Sequence, residues 1–103
     1  MISRIFTQRI RWACMTIEVS YEPAWLGLTI GGEPVAHLQL RSLDPDRAAL
    51  PVSETGYKSH YVSATEVEEC GGPVAYAIAW LDHAATFPDW IALQESSRQL
   101  ALF

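Results

Sequence analysis

The chain of 103 residues has little cysteine, few basic residues and no long apolar run. Its two cysteines, Cys14 and Cys70, have neither metal-ligand spacing nor the spacing of a redox pair. The longest apolar run, residues 74–81, is too short to span a membrane but suits a buried helix. These absences predict a soluble, cytoplasmic protein with reduced thiols, no membrane partner, no metal and no cofactor.

Basic residues are scarce and unevenly placed. Seven stand against twelve acidic residues, for a net charge of -5. Arg4, Arg9 and Arg11 lie within the first fourteen residues, which contain no acid, whereas from Met15 onward four basic residues face twelve acidic ones. A body this acidic repels a phosphate backbone, so we expect no direct nucleic-acid binding. An acidic mimic of DNA is a weaker alternative, because the carboxylates show no regular spacing.

The pattern divides the chain into three parts. Residues 1–14 have poor periodicity and are expected to form a loose arm, or to result from a start codon placed too early, since a clean strand pattern begins at Met15. Residues 15–98 have the composition of a single domain with a modest core. Residues 99–103 have the character of a separate terminal peptide.

Within the domain, strand patterns precede helix patterns. Four segments resemble antiparallel strands, with turn chemistry at the glycine pair 31–32 and an irregular connection over 43–56: residues 16–21, 25–30, 35–40 and 57–62. The inward side chains are expected to be Leu26, Leu28 and Ile30 on the second strand and Ala36, Leu38 and Leu40 on the third, with His37 and Gln39 facing outward.

Three helices are expected to follow the strands. A short helix is predicted over 63–68, a central one begins at Pro73, and a last one runs from Pro88 to about Arg98. Trp90, Ile91 and Leu93 are the expected anchors of the last helix. The fold class is therefore α+β, with a three- to four-stranded antiparallel sheet packed by two or three helices.

The terminal peptide provides the strongest functional signal. Gln99, Leu100, Leu102 and Phe103 resemble the Gln-Leu-x-Leu-Phe peptides with which bacterial proteins bind the DNA sliding clamp. The resemblance implies that the glutamine amide bonds at a pocket rim while the leucine and phenylalanine side chains fill an apolar cleft. An alternative remains, because Leu100 and Phe103 have helical spacing and could be core contacts of the chain's own last helix.

A second polar cluster lies at Tyr57, Lys58, Ser59 and His60, and it could form a small ligand-binding or catalytic site. Neighbouring residues of a strand point to opposite faces, so Ser59 and His60 cannot form a nucleophile and base pair with each other. Packing of aromatic rings at the start of a strand is the simpler interpretation. No complete catalytic set is visible, and a non-enzymatic role is favoured.

The body of the chain also carries a resemblance. The runs over 50–61 and 71–74, together with the terminal residues 97–103, resemble short proteins of proteobacterial plasmids and integrative elements. The resemblance implies no particular activity, but it implies an accessory role in the maintenance or replication of a mobile element. The combined prediction is an accessory protein that binds the sliding clamp through residues 99–103. The alternative is a ligand-binding domain or enzyme that uses residues 57–61.

Overall fold

A computed structural model of the protein describes residues 5–101, with side chains described for residues 5–96. In this part of the chain, five strands are followed by three helices, which confirms the predicted α+β class. The elements are β1 (Phe6–Trp12), β2 (Met15–Glu22), β3 (Thr29–Ile30), β4 (Glu33–Asp44), β5 (Tyr57–Ser63), α1 (Ala64–Glu69), α2 (Pro73–Ala84) and α3 (Pro88–Ala101). No helix among these described residues is long and apolar enough to cross a membrane.

The sheet is antiparallel and is organised around β4. Its order is β1, β2, β4, β5, and the two-residue β3 pairs with the beginning of β4. Residues that pair across strands share one side of the sheet, so the register defines two faces. We call the face against which α1 and α2 pack the covered face. The opposite face, against which no α-helix packs in the part of the chain that the structure describes, we call the open face.

The core lies between the covered face and the helices. β4 contributes Ala36, Leu38 and Leu40, each fully buried as predicted. Their partners in the core come from every neighbouring element: Ile10, Met15, Ile17, Val19, Tyr21, Leu50, Val62, Val67, Ala77 and Leu81. Side chains at alternate positions of β2 and β4 thus meet one stripe of α2, and burying this apolar surface is the main force that stabilises the fold.

The central helix begins at Pro73, as predicted, and the last helix at Pro88. Of the three predicted anchors of α3, Trp90 packs against the core, where its ring centroid lies 6.2 Å from that of Trp12. Ile91 and Leu93 are exposed instead. Successive helical residues are about 100° apart, so with Trp90 against the domain Ile91 is turned away from it. Leu93 lies on the side of Trp90, but it lines an open concavity there and stays 40% exposed. The prediction of these two side chains as anchors was therefore wrong.

The N-terminal segment differs from the expected loose arm. Its residues Phe6–Trp12 form β1 and pair with β2 along their whole length, and Ile10 is buried. Ala13 and Cys14 both have positive φ angles, 48° and 65°, as a tight two-residue hairpin turn requires. The alternation was hard to see because β1 is an edge strand and one of its positions on the covered face holds a glutamine.

The segment predicted as a strand over residues 25–30 also differs. It forms a short 3-10 turn at Trp25–Gly27 before the two residues of β3. Leu26 and Gly27 have left-handed φ angles of 51° and 66°, which break an extended chain. Leu26, Leu28 and Ile30 are consequently 71%, 50% and 58% exposed instead of aligned in the core. β2 therefore pairs directly with β4.

The connection from β4 to β5 is irregular, as predicted, and one buried side chain hydrogen-bonds to its backbone. The hydroxyl of Ser42, which is fully buried, donates to the carbonyl oxygens of Ala48 and Gly56. Gly56 has a φ of +79°, and a Cβ atom there would lie 2.4 Å from the Ser42 oxygen. Only glycine fits this position, and the contact fixes where β5 begins.

Candidate functional site

β5 divides the four residues that the sequence singled out. Tyr57 and Ser59 lie on the open face, because they pair with Arg41 and Gln39 of β4. Lys58 and His60 pair with core residues of β4 and therefore lie on the covered face. The four side chains consequently do not converge on one pocket, and each pair must be considered on its own face.

His60 lies between the sheet and α2, where it is half-buried. Its Nε2 atom is 3.1 Å from the Tyr76 hydroxyl, and its ring centroid is 4.5 Å from that of Trp80. The pKa of His60 is lowered from its ordinary value by burial and then by the charge of Lys58, with Glu66 acting in the opposite direction. A neutral imidazole that is stacked and hydrogen-bonded in this way is a packing element.

Ser59 contacts a different histidine on the open face. Its Oγ atom lies 2.6 Å from Nε2 of His37, which is the spacing of a nucleophile and its base. Acyl transfer also requires donors aimed at a developing oxyanion, yet strand N–H groups lie in the plane of the sheet and do not point above it. The pair is better suited to orienting the imidazole than to catalysis.

An aromatic cluster surrounds that pair. The ring of Tyr61 is stacked on His37 at 4.5 Å with an interplanar angle of 7°, and Trp25 lies 4.6 Å from Tyr61. Tyr61 nevertheless remains 49% exposed. Farther along β5, Tyr57 is 43% exposed, and its hydroxyl donates to Oε1 of Gln39 over 2.7 Å. Two tyrosine rings are thus held in fixed orientations on one accessible surface.

Arginines occupy the same surface. Arg9 of β1, Glu18 of β2, Arg41 of β4 and Tyr57 of β5 form one row of direct partners across four strands. Arg9 and Arg41 are exposed, and among the side chains described for residues 5–96 neither has an ion-pair partner within 4.0 Å. Arg11 is also exposed, and it donates to Thr16 over 3.0 Å. Glu18 lies between Arg9 and Arg41 in this row, and Asp44 pairs with Thr16 next to Arg11, so carboxylates offset the charge of the arginines on this face.

A concavity adjoins the end of this row. It has a volume of about 550 Å³ and is lined by Arg41, Asp46, Arg47, Thr55, Gly56 and Tyr57. Two guanidinium groups, a ring face and backbone therefore surround a space that could hold a small anionic group. Asp46 is the one carboxylate in this lining and would oppose an anion.

A second, larger concavity is apolar. Its volume is about 590 Å³, and it lies where β1 and β2 meet the beginning of α2. The lining residues are Ile5, Phe6, Tyr21, Pro23, Gly71, Pro73 and Val74. The buried hydroxyl of Tyr21 has no hydrogen-bond partner in the part of the chain that the structure describes. Burial, and then the charge of Glu68, raises the pKa of Tyr21.

Two further predictions concern metals and the terminal peptide. Within the described residues, no group of three or more His, Cys, Asp or Glu side chains is placed to hold a metal ion. Of the predicted clamp-binding residues, the backbone of Gln99 and Leu100 belongs to the end of α3. The side chains of those two residues, and the whole of Leu102 and Phe103, lie outside the described part.

Residues 5–90 match a protein-family model described as the KlcB third domain. No curated protein and no solved structure matches the chain. The matched segment runs from the beginning of β1 into the first turn of α3, so it contains the open face and its arginine row. Residues 99–103 lie outside it.

Proposed function

The chain belongs to the KlcB third-domain family, and from that membership we propose that it acts by tethering a folded domain to a protein partner. Family membership supports a plasmid-associated accessory protein. The partner we propose is the bacterial DNA sliding clamp, bound through Gln99, Leu100, Leu102 and Phe103. In this proposal the protein is not an enzyme. Binding of the peptide brings the folded domain to the clamp.

The observation that carries the proposal is the position of the peptide at the end of α3. Trp90 fastens the first turn of α3 to the domain, whereas Ile91 and Leu93 are exposed. The last two side chains described before the peptide, Glu95 and Ser96, are exposed as well. The described side chains that lead toward the peptide are therefore largely open to solvent, and the final turn of a helix opens at small cost, as binding in a pocket of another protein would require.

The chemistry of the peptide suits such a pocket. A few large apolar side chains supply most of the binding energy in short-peptide recognition, and the hydrogen bonds of the glutamine amide orient the peptide in the pocket. Because residues 99–103 lie beyond the segment that matches the family, the clamp proposal rests on the sequence of the peptide and on its place after α3.

The arrangement of polar side chains supports a role without catalysis. His60 is packed against Tyr76 and Trp80, and Ser59 faces His37 on an exposed strand. The alternative prediction of one ligand site at residues 57–60 requires side chains from both faces of the sheet. Tyr57 and Ser59 share the open face, whereas Lys58 and His60 share the covered face.

Calorimetric titration of the full chain into purified host clamp tests the proposal. We expect the double variant Leu102→Ala, Phe103→Ala to lose at least about tenfold in affinity, because anchor side chains cost more than 1 kcal/mol each when truncated. The matched control is Leu93→Ala, which removes an exposed apolar side chain from the same helix and should leave the affinity unchanged.

Thermal unfolding of the same variants tests the competing interpretation. If Leu100 and Phe103 are core contacts of the chain itself, the double variant should lower the melting temperature markedly. Clamp binding predicts a melting temperature close to that of the wild type. A full chain that does not bind the clamp, or a double variant that binds it equally well, would overturn the proposal.

A further inference from the structure

We propose that the protein forms a two-fold symmetric dimer in which β1 of one copy pairs antiparallel with β1 of a second copy, with Gln8 at the symmetry axis. The two sheets then join into one sheet of eight strands, four from each copy. This inference concerns the N-terminal edge of the domain and does not depend on the clamp-binding peptide.

β1 is an edge strand, and no strand covers its outer side in the part of the chain that the structure describes. It pairs with β2 along its whole length and with no other described strand. Phe6, Thr7, Gln8 and Arg9 are all exposed, although they alternate between the two faces of the sheet. β1 contains no proline, and its pairing with β2 has no bulge, so it lacks two devices that often protect a sheet edge. The edge is therefore a template for a further strand.

The turn between β1 and β2 determines which backbone groups of β1 point outward. The turn has two residues, so Trp12 and Met15, which flank it, form a hydrogen-bonded pair. Directions alternate along a strand, and the N–H and C=O groups of Thr7, Arg9 and Arg11 consequently point away from β2. A partner that satisfies these groups must place extended backbone beside them.

Charge selects one register for two paired β1 strands. Outward residues must face each other, so Arg9 can stand opposite Ile5, Thr7, Arg9 or Arg11 of the second copy. The last two pairings place like charges directly opposite each other, which destabilises a sheet. Pairing with Ile5 shortens the overlap of the strands. Pairing with Thr7 avoids both problems and joins residues 5–11 of the two copies.

The same register covers an exposed apolar side chain at the beginning of β1. It places Phe6, which is 43% exposed, directly opposite Ile10 of the second copy on the covered face. Cα atoms at such a non-hydrogen-bonded position are about 4.5 Å apart, so the two side chains contact each other. Phe6 also lines the apolar concavity, and the second copy extends the apolar wall at that point.

A second copy meets the requirements that this edge sets for a partner. The partner must be an extended strand with a neutral residue opposite Arg9 and an apolar residue opposite Phe6, and β1 itself has all three properties. The arginines do not prevent the association, because Arg9 pairs with Glu18 of its own copy and Arg11 donates to Thr16. The two-fold symmetry uses the β1 edge of both copies and closes the assembly there.

Sedimentation velocity of the full chain between about 5 and about 500 µM tests the dimer, because a single strand ladder buries less area than a standard interface and binds weakly. We expect a shift from monomer to dimer across this range. Thr7→Pro removes an outward N–H group, which edge strands tolerate, and should weaken dimerisation at least about tenfold, since two hydrogen bonds are lost per dimer. Thr7→Ala is the matched control: it keeps the N–H group and should dimerise like the wild type.

Disulfide trapping tests the register. The background is the double variant Cys14→Ser, Cys70→Ser, which removes the two exposed native thiols. Gln8→Cys should then give a covalent dimer on mild oxidation, because Cα atoms about 4.5 Å apart at the axis suit a disulfide. Arg9→Cys is the matched control, since in this register the two substituted positions are diagonal neighbours about 7–8 Å apart and should form little covalent dimer.

Three outcomes would overturn the proposal. The first is a chain that stays monomeric up to about 500 µM. The second is a Thr7→Pro variant that is folded by circular dichroism and dimerises as tightly as the wild type. The third is covalent dimer that forms as readily with Arg9→Cys as with Gln8→Cys, which would exclude the register. If Thr7→Pro does not fold, the trapping of Gln8→Cys decides between the dimer and a bare edge.

Discussion

The two faces of the sheet are made by the same strands, yet they differ in almost every physical property. On the covered face, Leu38 and Leu40 of β4 are fully buried beneath the helices. On the open face, the alternate residues His37, Gln39 and Arg41 remain accessible to solvent. The comparison teaches that stability and surface chemistry are separable here, because one strand supplies both through residues only one position apart.

The largest expected effect comes from a truncation on the covered face. Leu38→Ala removes a fully buried side chain from the central strand and leaves a cavity between the sheet and its helices. We expect the free energy of unfolding to fall by about 2–5 kcal/mol, a large part of the stability of a domain of this size. Urea-induced unfolding followed by circular dichroism measures the change.

The neighbouring position on the open face is the control. Gln39→Ala removes a half-exposed amide that accepts a hydrogen bond from Tyr57, and we expect a loss of about 1 kcal/mol or less. If both substitutions cost the same free energy, the two faces do not divide stability and surface chemistry as proposed.

The next largest effect concerns the glycine at the end of the connection between β4 and β5. Gly56→Ala places a methyl group 2.4 Å from the Ser42 oxygen and 2.7 Å from the Ala48 carbonyl oxygen, at a left-handed φ of +79°. We expect a loss of about 1–3 kcal/mol from the backbone conformation, increased by the steric clash. Urea unfolding measures it.

Gly32 provides the matched position for that test. It also has a positive φ, +83°, but an added Cβ atom there meets no atom within 4 Å. Gly32→Ala should therefore cost only the conformational part of the effect. Equal losses at Gly56 and Gly32 would show that the contact with Ser42 does not matter.

Local patterns predicted the central part of the covered face. Alternation in β2 and β4 identified the inward side chains, and Pro73 marked the beginning of α2. β1 was not predicted because Gln8 occupies a position where the pattern requires an apolar residue. The segment forms a strand because it pairs with β2. The strand predicted over residues 25–30 failed because left-handed residues interrupt it.

The open face was harder to predict because it is assembled from distant residues. Ser59 and His37 are 22 positions apart, and Arg9, Glu18 and Arg41 come from three strands. Neither grouping has a local signature, since strand register determines it.

A smaller effect should have opposite signs on the two faces. Tyr21 on the covered face has a buried hydroxyl without a hydrogen-bond partner among the described residues, so Tyr21→Phe should raise the free energy of unfolding by about 1 kcal/mol. Tyr57→Phe on the open face removes an exposed hydrogen bond to Gln39 and should lower it by about 0.5 kcal/mol. Urea unfolding of both variants measures the signs, and a loss in Tyr21→Phe would mean that its hydroxyl is satisfied in solution.

The smallest effect concerns the one covered-face histidine, which is half-buried and therefore partly solvated. Burial, and then Lys58, lowers the pKa of His60 below its ordinary value of 6.5 in the folded protein. As the pH falls through 6.5, the unfolded chain takes up a proton at His60 before the folded protein does, so stability is lost until the pH has passed the lowered pKa. We expect His60→Gln to reduce the fall in the free energy of unfolding between about pH 7.5 and about pH 5.5, measured by urea unfolding at both values. An unchanged fall in the variant would mean that His60 titrates as a solvated residue, and the difference between the two faces would then not extend to the β5 edge of the sheet.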